Sequence, residues 1–130
     1  MANNFVNLYC DPPQPKAGQR MRLTVELDQD VPVEEVVFLE KQRIVDSGGG
    51  FPELRPIAVD KYFELPVSLE IRIKPGAKTG TSDPITVRKD AKSGDGERPV
   101  IFPEQLLFTA YITALSEGFR SVLVRILPPD

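Results

Sequence analysis

Four carboxylates fall within one short stretch, Asp28, Asp30, Glu34 and Glu35. A hard cation such as calcium needs several oxygen ligands, so this loop is the first place to look for a metal. Its spacing matches no calcium-binding loop, and the plain reading is a solvated acidic turn. Histidine is absent from the chain. That removes the commonest general base, the commonest zinc ligand and any Ser-His-Asp arrangement. Cys10 is the sole cysteine, so no internal disulfide and no thiolate zinc cluster can form. "SGGGFP" and "SGDGER" are glycine-rich but neither has the spacing of a phosphate-binding loop. No catalytic residue, cofactor or metal site is therefore assigned, and the expectation is a protein without enzymatic activity.

Binding chemistry is the remaining class. Six basic residues lie between positions 72 and 92: Arg72, Lys74, Lys78, Arg88, Lys89 and Lys92, against Asp83 and Asp90. Aromatic residues are not interleaved with them, so stacked bases have no platform. The net charge of −3 also argues against wholesale attraction to nucleic acid. Tryptophan is absent, and Tyr9, Tyr62 and Tyr111 are scattered. Phe51, Tyr62 and Phe63 stand in or beside a long irregular segment, and the Gly-rich stretch 90–98 carries Lys92, Asp95 and Arg98. Those six residues form the candidate binding set, with a glycan as the small-ligand option.

The elements that would hold these residues read as strands. In "RMRLTVELD", Met21, Leu23, Val25 and Leu27 alternate with Arg20, Arg22, Thr24 and Glu26, the two-residue period of a half-buried strand. "VSLEIRIK" repeats the rhythm with Val67, Leu69, Ile71 and Ile73 inward. "FRSVLVRIL" does so with Val122, Val124 and Ile126 inward and Arg125 outside. "FVNLYC" reads as an edge strand, "VVFLEKQRIV" as a strand on its β-branched residues, and "DPITVRK" as another. A further edge strand is expected near Ile57–Val59, and one helical turn in "PEQLLF". "PGAKTG" is a turn, because Pro75 presets φ and Gly76 tolerates a positive one. Thirteen prolines and nine glycines also disfavour helices. The 130 residues are expected to form one domain, 1–130, an all-β antiparallel β-sandwich of about seven strands. No stretch reaches the ~20 apolar residues of a membrane-spanning helix, and "MANNFVNLYCDPP" does not read as a signal peptide.

Three segments resemble bacterial immunoglobulin-like domains, the modules of surface and secreted proteins. "PKAGQRMRLTVELD" is similar to their first connector and second strand. "VSLEIRIKPGAKTGTSDPITV" is similar to two strands joined by a Pro-Gly turn, and "FTAYITALSEGFRSVLVRI" to the closing hairpin. They occur in the right order over about half the chain. The resemblance implies an immunoglobulin-like sandwich with no shared catalytic residue. It also implies a structural or protein-interaction role within a larger or multimeric assembly at the cell surface. With strands running alternately up and down, the long loops 46–60 and 89–104 should meet at one end, where a protein or glycan would bind. Self-association through a sheet edge, at the first strand or near Ile57, is a further expectation.

Overall fold

The computed structural model describes residues 4–46, 49–92, 98–112 and 118–130. Alternation becomes strand wherever one face can be buried. Met21, Leu23, Val25 and Leu27 are all buried along β2 (Arg20–Leu27), the centre of the first sheet. On one side of β2 lies β1 (Phe5–Asp11). On the other lie β6 (Thr79–Thr81) and then β7 (Ile85–Thr86). The second sheet is built on β3 (Glu35–Asp46). One edge of β3 pairs first with β5 (Glu70–Ile73) through Glu35–Phe38, and then with β4 (Pro52–Arg55) through Arg43–Asp46. Its other edge pairs with β8 (Glu104–Tyr111), and β9 (Phe119–Ile126) closes the sheet outside β8. Every ladder is antiparallel.

The fold is thus an all-β sandwich of two antiparallel sheets, with nine strands among the described residues against the seven expected. The extra strands have local causes. Gly50 at φ 80° lets the chain double back on β3, so β4 forms at 52–55. Proline is tolerated as its first residue. The edge strand expected near Ile57–Val59 is therefore not there: Ile57 is buried, and Val59 opens a single helical turn, α1 (Val59–Tyr62). The expected "DPITVRK" strand shortens to β7. Pro84 has no N–H to give the ladder, and β6 and β7 become separate short pieces on β2. The helical turn expected in "PEQLLF" is strand instead. Glu104, Leu106, Phe108 and Ala110 all point inward, and the period-two burial of the whole of β8 outweighs local preference. Val67 and Leu69 lie outside the strand but pack against the core. The "SEG" turn falls largely outside the described residues.

One continuous core fills the space between the sheets, drawing Leu23, Val25, Ile71, Ile73, Leu106, Phe108, Val124 and Ile126 into contact-forming positions that water does not reach. Each such side chain contributes ~1.5–3 kcal/mol on burial. The β1 side is closed. Arg120 donates from Nη2 to the Phe5 carbonyl at 3.2 Å, and Leu127 exchanges backbone hydrogen bonds with Pro15 and Ala17. At one end of the sandwich Val31 is tied to Gly76 and Ala77. At the other the two long connections meet: the Lys92 amide donates to the Lys61 carbonyl at 2.9 Å, and Arg88 Nη1 to the Asp60 carbonyl at 3.1 Å. Among the described residues no helix is long and apolar enough to cross a membrane.

Candidate binding face

Two of the six candidate residues are out of reach of a ligand. Tyr62 and Phe63 have no exposed surface. Their rings pack edge to face in the core, centroids 5.2 Å apart at 69°. Two consecutive residues both point inward because α1 ends at Tyr62 and the backbone turns extended at Phe63. The alternation rule that would expose one of them does not apply across that switch. Phe51 is 78% exposed, Lys92 is half-buried and Arg98 is exposed, while Asp95 lies outside the described residues. An aromatic platform of Phe51, Tyr62 and Phe63 at the loop end is thereby ruled out.

The charged sets also disperse. Asp28 accepts the Asn4 amide at 3.0 Å, and Glu34 binds Arg72 Nη1 at 2.7 Å. Among the described residues no three acidic side chains converge on a point that could hold a cation. The basic run splits between the two ends of the sandwich. Arg72 is held at the Glu34 end, and Arg88 is paired with Asp90 at the other. Those pairs raise both guanidinium pKa values and lower that of Asp90, chiefly through the side-chain hydrogen bonds. Lys89 lays its methylenes over Gly18. Cys10 is buried beside Met21, its Sγ 3.7 Å from Sδ. Burial, and then the charge of Asp11, push its thiol up to about 11, so no thiolate forms near neutral pH.

What the fold does assemble is the outer face of the second sheet. Residues directly opposite across a ladder share a face, so the registers define rows. Phe38, Tyr111 and Phe119 form an aromatic row across β3, β8 and β9. The Phe38 and Tyr111 rings lie 5.7 Å apart and tilted by 31°, within the range of favourable aromatic pairs. The next row is polar: Glu40, Thr109 and Ser121. The two hydroxyls share a hydrogen bond of 2.9 Å, and Tyr111 Oη reaches Glu40 Oε1 at 3.5 Å. Gln42, Leu107 and Leu123 follow, then Leu54, Ile44, Gln105 and Arg125. Phe119 is 73%, Leu123 59% and Leu54 52% exposed. An open cleft of about 620 Å³ continues the face at its far end, lined by Ile44, Asp46, Pro52, Pro103, Gln105 and Arg125 among others.

The outer face of the first sheet is different in kind. Its rows read Asn7–Glu26, Tyr9–Thr24–Thr81 and Asp11–Arg22, charged and polar apart from Tyr9. Among the described residues, the second sheet alone therefore presents aligned apolar side chains on both of its faces. The signal was in the sequence. In "EQLLFTAY" Leu107 and Tyr111 form a second apolar set, out of phase with Leu106, Phe108 and Ala110. Phe119 and Leu123 do the same in β9. A strand apolar on both faces calls for cover on both. No protein-family model, curated protein or solved structure matches this chain.

Proposed function

We propose that the chain is a non-catalytic structural or protein-interaction module, a unit of a larger or multimeric assembly, and that it makes contact through the outer face of the second sheet. The observation that carries this reading is the row Phe38–Tyr111–Phe119, half-buried at Tyr111 and open at Phe119, with half-buried Leu107 and exposed Leu123 beyond the polar Glu40–Thr109–Ser121 row. Exposed apolar side chains grouped on one face mark interaction sites, and aromatic residues dominate the energetics of such sites. Burying an exposed Phe or Leu side chain fully contributes roughly 1.5–3 kcal/mol, so a few of these anchors suffice for a specific contact. The chemistry at hand agrees: the sole thiol is buried, and its proton is held to about pH 11.

The carbohydrate reading at the long-loop end loses its support with Tyr62 and Phe63 in the core. A pull-down from extracts of the source cell separates face from loops. Phe119→Arg is expected to release bound partners, whereas Phe51→Arg is expected to retain them. The reverse pattern overturns the assignment.

A further inference from the structure

We propose that the occupant of this face is a second copy of the same chain, the two sheets stacked about a two-fold axis that runs along β8. The inference rests on the binding-face reading above and names its partner. Three observations lead to it: the order of the rows, the placement of the charges, and the size of the face.

A two-fold axis parallel to β8 keeps each row at its own height and exchanges β3 of one copy with β9 of the other. Tyr111 then meets Tyr111 of the second copy, and Phe38 meets Phe119. Leu107 meets Leu107. In the polar row Thr109 meets Thr109 and Glu40 meets Ser121, a carboxylate opposite a hydroxyl that can turn to donate to it. Arg125 meets Ile44, so neither Glu40 nor Arg125 faces its own kind. The aromatic row thus covers itself, Leu107 covers its twin with Gln42 against Leu123, and the polar row is matched by itself, as an isologous contact allows. A two-fold axis across the strands at the middle of the face would instead set the aromatic row over Ile44, Gln105 and Arg125.

The area is adequate. From Gln105 to Tyr111 the face runs ~20 Å along the strands, and with side chains it is ~19 Å across, at ~3.4 Å per residue and ~4.8 Å per strand. Two such faces in contact remove on the order of 1,000 Å² of accessible surface, the lower bound for a specific interface. The dimer is accordingly expected in the micromolar range.

Sedimentation velocity from low micromolar to near-millimolar protein tests the proposal. A reversible monomer–dimer transition is expected, weakened about tenfold or more in Phe119→Arg, as befits loss of an aromatic anchor. Phe119 is largely exposed, so that variant keeps its fold. Geometry has a separate readout. Stacked sheets lie ~10 Å apart, so Thr109→Cys should be linked to its twin by a short bis-maleimide, whereas Phe51→Cys should not. Cys10 is buried and gives no background. A monomer at all concentrations overturns self-association. If Phe119→Arg still releases a partner in the pull-down, the binding face stands and its occupant is a different protein. A monomer whose Phe38, Tyr111 and Phe119 resonances shift on adding cellohexaose overturns the dimer in favour of a glycan. A dimer that Phe119→Arg leaves intact uses another surface and overturns the proposal as well.

Discussion

Arg43 and Glu104 meet inside the end of the sandwich, the Arg43 Nε–H donating to Glu104 Oε1 from neighbouring strands of the second sheet. Their side chains are 13% and 7% exposed, so the pair is buried rather than a surface ornament. It joins the C-terminal part of β3 to the first residue of β8 beside the apolar core.

Removing one partner leaves the other charge buried and alone, which costs roughly 3–5 kcal/mol. Glu104→Ala is expected to fall in that range in urea unfolding at pH 7. Arg43→Met combined with Glu104→Leu is expected to recover most of the loss, because two apolar groups of similar size leave nothing unpaired. A double variant no more stable than Glu104→Ala would show that the pair supports something other than its own desolvation.

Tyr62 lies under those two charges. Its hydroxyl is the buried side-chain oxygen without a hydrogen-bond partner among the described residues. Burial, with a smaller contribution from Glu104, raises its pKa far above the ordinary phenol value, and Arg43 only partly opposes this. Tyr62→Phe is expected to be neutral or to stabilise by up to ~1–2 kcal/mol, since an unsatisfied buried hydroxyl costs about that much. Phe63→Ala next to it is expected to lose ~3–5 kcal/mol through its cavity. In an ultraviolet titration, Tyr62 should ionise only when the protein unfolds in alkali.

Cys10 gives a pH dependence of fixed sign. Its thiol is raised from 9.0 to about 11 in the folded chain, chiefly by burial and then by Asp11. The folded state holds the proton more tightly than the unfolded one. The associated stability is therefore complete below pH 9 and is lost as pH rises toward 11. Its size is on the order of 2 kcal/mol at ~1.4 kcal/mol per pKa unit. The difference in unfolding free energy between wild type and Cys10→Ala, measured at pH 8 and again near pH 11, should shrink by that amount. A constant difference would refute it.

Gly80 sits where β6 of the first sheet passes β5 of the second. A Cβ there would lie 2.8 Å from Ile71 Cγ2 and 2.9 Å from the Arg72 carbonyl oxygen. The carbonyl is backbone and cannot swing aside. Gly80→Ala is expected to cost ~1–3 kcal/mol as overpacking does, visible as a lowered midpoint in thermal unfolding. Gly118→Ala, which meets nothing within 4 Å among the described residues, serves as the neutral comparison.

The alternation of Met21 to Leu27, and of Ile71, Ile73, Val124 and Ile126, was enough to place the buried face of each strand. A two-residue period is a local property, and burial of one face leaves no other register open. Connectivity alone also brought the two long loops to one end. Sequence could not say that Gly50 would return β4 to β3, or that Pro84 would split β6 from β7. It could not say that the switch at Phe63 would send both it and Tyr62 inward. Each of those outcomes depends on where a distant strand already stands. The same holds for the face. Phe38, Tyr111 and Phe119 are far apart in the chain, and only the register of β3 with β8 and of β8 with β9 sets them side by side. The residues fixed which surfaces would be apolar, while tertiary pairing decided that three aromatics would form one row on the outer face of the second sheet.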